Sequence, residues 1–116
     1  MLDINKATTI QNDPEGNMFG LAPWSPLSAQ QQAEAEGVFL SDEHWEIVMY
    51  LRERYRERGA ASSAREVMQE LQENFSEYGR RSLYERFPGG PVNQASRIGG
   101  VPLPPYSSDP SFGSVL

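Results

Sequence analysis

The sequence predicts a mainly α-helical protein, with a small helical bundle behind an N-terminal β-hairpin and a flexible C-terminal arm. Three observations predict it. All nine prolines lie before residue 27 or after residue 87, and the ten glycines concentrate in the same two regions. The stretch between them is rich in Glu, Gln, Arg, Leu and Ala, which lose little side-chain freedom in a helix. Apolar residues in that stretch recur at spacings of three and four, the signature of one buried helix face.

A chain of 116 residues, 38% of them hydrophobic, supports one modest core rather than two. The expected division is a helical domain over residues 1–98 and an arm over residues 99–116. Ala7-Thr8-Thr9-Ile10 is β-compatible, Asn12 to Asn17 is turn-forming, and Met18-Phe19 follows; that order reads as a hairpin at about residues 5–22. Ser25 can cap a helix with Pro26 at its first position, running to about residue 36 and ending at Gly37. Ser41 is the next N-cap, with Asp42 and Glu43 at the positive end of the helix dipole. That helix is expected to run to about Arg58 and stop at Gly59. Val48, Leu51 and Tyr55 form its inner face, broadened by Trp45, Ile47 and Met49.

Ser63 and Glu66 have capping-box spacing, and Val67, Met68, Leu71 and Phe75 line the helix that follows. Arg81 to Phe87 is a further helical piece, with Leu83, Tyr84 and Phe87 packed. Pro88-Gly89-Gly90-Pro91 breaks it, and Pro91 starts one more short helix through Ile98. Beyond Gly99-Gly100 the density of proline and serine predicts a mobile arm.

The net charge is −6, unevenly spread: residues 1–50 carry eight acids and one lysine, residues 51–116 nine arginines and eight acids. A nucleic acid meets a mostly repulsive field, so DNA is disfavoured as a partner. The chain has no cysteine and one histidine, which removes disulfides, thiolate metal sites and thiol catalysis by this chain alone, and argues against a histidine-based zinc or Ser/His site. No metal or other cofactor is implied. No apolar run is long enough for a bilayer and the N-terminus lacks a signal-like core, so a cytoplasmic protein with no membrane contact is expected.

Asp13-Pro14-Glu15-Gly16, Trp24, Leu40 to Val48, Ala64-Arg65, Leu83-Tyr84, Phe87-Pro88, Gly90-Pro91 and Gly100-Val101-Pro102 occur in an order that resembles the DsrC/TusE family of sulfur-relay proteins. The specific part is the acidic-His-Trp motif followed about forty residues later by Phe-Pro-x-Gly-Pro. The resemblance implies an orthogonal, helix-turn-helix-like bundle with an N-terminal β-hairpin and a flexible arm. It also implies, for members with both thiols, arm cysteines that form a disulfide or trisulfide and an arm that enters dissimilatory sulfite reductase. For TusE-type members it implies a terminal thiol that passes sulfur toward tRNA thiolation. Carried across, the inner cysteine falls on Ser96 and the terminal one on Ser107, with eight further residues, Asp109 to Leu116, after Ser108.

A thiol with a pKa of about 8.5 ionises readily and binds sulfane sulfur, whereas a hydroxyl without an activating base does neither. The expectation is therefore a cysteine-free relative that is not an enzyme and modulates sulfur metabolism by binding. Its partners are expected among sulfite-reductase-like, Tus-like or sulfurtransferase proteins. Recognition is assigned to Arg80, Arg81, Arg86 and Arg97 around the base of the arm and to the Phe87, Pro88, Gly90, Pro91 hinge. Two alternatives stand beside it: a helix-turn-helix-like DNA-binding regulator, and an accessory member of a sulfur-transfer complex. On the central helix, Arg52, Arg54, Arg56 and Arg58 are interleaved with Glu53 and Glu57, the pattern of a solvated face.

Overall fold

The computed structural model describes residues 16–75, 77 and 79–105. Among them five helices follow in order: α1 (Pro26–Ala35), α2 (Asp42–Arg58), α3 (Ala64–Asn74), α4 (Gly79–Arg86) and α5 (Pro91–Gly99). Their ends are set by local chemistry. Ser25 accepts from the Ser28 amide and Ser28 reciprocates, with Pro26 at the first helical position of α1. Gly59 ends α2 at φ 71, a conformation that costs a glycine little. Ser63 caps α3 through the Glu66 amide at 3.2 Å, but the Glu66 carboxylate reaches back to the Ser62 amide, one residue earlier than the capping box predicts.

The β-hairpin expected at about residues 5–22 is corrected: the described residues contain no strand. Its first arm, Ala7 to Ile10, lies outside the described residues. Its second arm, Met18-Phe19, sits in consecutive turns, with the Phe19 amide donating to Gly16 O at 3.1 Å and the Leu21 amide to Met18 O at 3.2 Å. Amides engaged three residues back curl the chain and leave no ladder. Asn17 then donates its side-chain amide to Arg56 O at 2.9 Å, satisfying a carbonyl in the last turn of α2. The helix-turn-helix-like arrangement is corrected as well: the main contacts of α2 and α3 are with α5.

That final helix organises the core. Seven of its nine residues are buried, and it packs against all four others. Ile47, Val48 and Leu51 of α2, Val67 and Leu71 of α3, Leu83 of α4, and Ala29 and Ala33 of α1 surround Val92, Ala95 and Ile98. Small side chains let α2 come close; a Cβ on Gly99 would stand 3.3 Å from Val48 Cγ1. The buried face of α2 is His44, Ile47, Val48, Leu51 and Arg54, so Met49, expected inside, is 47% exposed.

Leu83 is fully buried, so Leu83→Ala is expected to cost about 2–5 kcal/mol in a denaturant titration. Met49→Ala, on the open side of α2, is expected to stay within about 0.5 kcal/mol of the parent.

Candidate functional site

The chain leaves the bundle through a closely held exit from α5. Gly100 is left-handed at φ 69, its amide donates to Arg97 O at 3.2 Å, and the Val101 amide donates to Ser96 O at 3.1 Å. This is the two-bond glycine stop of a Schellman motif. Two side chains hold the last carbonyls of α5: Trp24 Nε1 donates to Ile98 O at 2.9 Å and Arg52 Nη1 to Gly99 O at 2.6 Å. The Arg52 guanidinium also lies 4.0 Å above the Trp24 ring, a cation–π contact, so the cation sits on an aromatic face beside the negative end of the helix. A Cβ on Gly100 would meet Trp24 Cδ1 at 2.7 Å, so only glycine suits this exit.

After the turn, residues 101–105 lie back across the bundle. Val101 and Pro104 are buried whereas Pro102, Leu103 and Pro105 are exposed, a spacing of three that matches polyproline II. The segment is tied at its far end, where Pro105 O accepts from the Ala64 amide at 2.8 Å. Beneath it lies a cavity of about 30 Å³, lined by Ser96, Leu51, Arg54, Tyr55 and Val67. Ser96 is 2% exposed. Ser107 lies outside the described residues.

The other end of α5 is fixed by the Phe87 to Pro91 turn. Phe87 is fully buried, and the Gly90 amide donates to its carbonyl at 2.8 Å. Gly90 takes φ 104, Pro91 is buried at the first helical position, and Pro88 is exposed. Gln94 accepts from the Gly89 amide at 2.9 Å and donates to Glu36 at 3.0 Å, linking this turn to the end of α1. Arg97 grips the same Glu36 with two bonds, at 3.0 and 2.8 Å. His44 binds further away than the start of its own helix: its Nδ1 accepts from the Ser41 amide at 3.1 Å, which leaves the proton on Nε2 to donate to Arg86 O at 2.9 Å. Its ring meets Phe87 edge-on at 4.9 Å.

The arginines assigned to recognition therefore separate. Arg80 and Arg81 are exposed, Arg80 stacked 5.4 Å from the Tyr84 ring; Arg86 is half-buried and bonds Ser82 O at 3.3 Å; Arg97 is tied to Glu36. No hydrogen bond, ion pair or ring contact joins Arg80 or Arg81 to residues 101–105 among the described residues. On α2, Arg54 is buried rather than solvated and pairs with Glu70 through two bonds, at 2.7 and 3.1 Å. Arg58 bonds Glu70 too, and Arg56 pairs with Glu53. These cations are neutralised internally, which removes the charge that a phosphate backbone needs. No three His, Asp or Glu side chains are grouped to hold a metal ion, and no helix is long and apolar enough to cross a membrane, among the described residues. The residues that sequence reading missed are Arg52, Trp24 as its partner, and Ala64, which acts on the returning segment through its backbone amide.

The family of DsrC like proteins matches residues 4–106. Among curated relatives, Sulfurtransferase TusE of Shigella dysenteriae is 38% identical over 103 residues, covering 87% of this chain and 94% of its own. Sulfurtransferase TusE of Pectobacterium atrosepticum is 35% identical over 98 residues, covering 83% and 90%. Among solved structures, DsrC of Allochromatium vinosum superposes with a TM-score of 0.64 at 34% identity, covering 78% of this chain and 82% of that one. The oxidized gamma-subunit of the dissimilatory sulfite reductase from Archaeoglobus fulgidus gives 0.56 at 28%, covering 70% and 76%. The expectation that the chain is not an enzyme is corrected by the sulfurtransferase names of these relatives. That expectation counted only the nucleophiles of one chain, whereas sulfur transfer needs a donor and an acceptor and can be shared between proteins.

Acid should lower stability in two pH windows. Burial and the nearby Arg86 charge hold the His44 pKa below its ordinary 6.5, so stability present above that pH declines as pH falls through it. Glu70, bonded first by Arg54, and Glu36, bonded first by Arg97, are held at about 2 against an ordinary 4.5; their stabilisation is present above 4.5 and is lost as pH falls toward 2. Denaturant midpoints measured from pH 8 to pH 2 should fall in both windows, and Glu70→Gln should flatten the lower one while leaving the upper one in place.

Proposed function

Because this chain belongs to the DsrC-like protein family, we propose that it modulates sulfur relay by binding other proteins of the relay. The observation that carries this reading is the combination of an intact helical frame and exit turn with a sequence that has no cysteine. Sulfane sulfur is carried by a thiolate, which is both ionised and polarisable near neutral pH; a serine hydroxyl is neither. In any complex that includes this chain the sulfur-bearing thiols belong to the partner. The scaffold then contributes docking: its arm takes a partner's site with Ser107 at the family's terminal cysteine position, and so competes with a thiol-bearing relative, while Ser96, at the inner cysteine position, stays buried in α5.

Arg80 and Arg81 supply the cationic part of the recognition surface. Both sit in the first turn of α4, where positive charge opposes the helix dipole, so their placement costs stability locally and favours an acidic partner surface. Phe87, Gly90 and Pro91 act from within, fixing the direction of α5 and hence of the arm, while exposed Pro88 and half-exposed Arg97 border the surface. The fitting partners are sulfite-reductase-like, Tus-like or sulfurtransferase proteins.

Immobilised full-length protein, exposed to cell extract at micromolar concentration, is expected to retain relay proteins of these classes, identified by mass spectrometry. Arg80→Glu combined with Arg81→Glu is expected to reduce that recovery about tenfold with the circular dichroism spectrum unchanged, the order expected for losing a close charge pair. Retention of none of these proteins would refute the reading.

A further inference from the structure

We infer that residues 101–105 form a latch that controls access to position 96, with Ala64 as its catch. Ser96 is sealed on the inner side by α2 and α3 and on the outer side by the returning segment, whose Val101, Pro102, Leu103 and Pro104 complete the wall of its cavity. The two ends of that segment are held very differently. At Gly100 it is fixed by two turn bonds and by the Trp24 and Arg52 bonds to the end of α5. At Pro105 it is held by the Ala64 amide, while Pro102, Leu103 and Pro105 face solvent.

The Ala64 amide is the first helical donor of α3, one of the groups that an α-helix leaves unpaired. Water can replace Pro105 O there, so the bond shifts the closed-to-open equilibrium by only about fivefold. The segment therefore opens from the Pro105 end and pivots at Gly100. A modifying enzyme, a thiol reagent or a partner reaches position 96 only after that opening, and the Ser96 hydroxyl is withheld while the latch is closed. This inference is independent of which partner the protein binds.

Ser96→Cys places a sole thiol in a chain that has no other, so its alkylation by iodoacetamide, followed by mass spectrometry, reports opening directly. The thiol in native protein is expected to react at least tenfold more slowly than in the same protein unfolded in urea. Adding Ala64→Pro removes the amide at a first helical position, where proline is accommodated, after a Ser63 whose extended φ of −164 suits a following proline. That change is expected to raise the rate about fivefold with helical content intact. Pro104→Ser, which loosens the segment without touching α3, should raise it as well and serves if Ala64→Pro perturbs folding. The inference is overturned by a native thiol as reactive as the unfolded one, or by rates that neither change moves. A urea dependence of the rate as steep as that of global unfolding would also overturn it, since access would then need the whole bundle to open.

Discussion

Everything in this molecule depends on the burial of α5. A nine-residue helix is too short to be stable alone, and this one is held because α1, α2, α3 and α4 all pack on it. Its composition makes that possible. Ala95, Ser96 and Gly99 are small enough for neighbouring helices to approach, while Val92 and Ile98 fill the remaining space. Both ends are tied to residues outside the helix, the N-terminal end through the Phe87–Gly90 turn bond and through Gln94, which holds Gly89 and Glu36, and the C-terminal end through Trp24 and Arg52. The helix is thus a fixed rod from whose C-terminal end residues 101–105 turn back across the bundle.

Charge pairing supports the same geometry. Glu70 gathers Tyr50, Arg54 and Arg58 between α2 and α3, and Glu36 gathers Gln32, Gln94 and Arg97 between α1 and α5. Breaking either cluster at one member would strand a partly buried charge, which costs more than an exposed pair contributes. Their effect is to fix how the helices sit on α5, and among the described residues no fully buried side-chain polar atom lacks a hydrogen-bond partner.

Much of this was legible in the sequence, for a local reason. Ser25 with Pro26, Ser41, Gly59, Ser63 and the Pro-Gly-Gly-Pro turn act within a few residues of themselves, and the helix limits they suggest match those observed to within about two residues. What failed was tertiary. Met18-Phe19 follows a turn-forming stretch and so reads as the second arm of a hairpin, yet Asn17 docks on α2 and the segment turns. Arg54 looks like its neighbours on a charged face, but the position of Glu70 on α3 lets it be buried. The turns that bound α5 were legible where proline and glycine mark them, at residues 87–91 and 99–100. It was invisible at the bond from Ala64 to Pro105, because a backbone amide and a backbone carbonyl carry no residue signature. The cysteine positions give the opposite lesson: the resemblance located Ser96, and only the fold showed that it is buried under the returning chain.

The central claim is that this scaffold acts in sulfur relay through binding while other proteins carry the sulfur. Its most direct test is a reconstituted transfer, timing the passage of persulfide sulfur from a donor sulfurtransferase to a thiol-bearing TusE-type or DsrC-type acceptor with increasing amounts of this chain. The account predicts a saturable change in transfer rate with no sulfur label on the chain itself. An unchanged rate at a large molar excess of the chain over acceptor would contradict it.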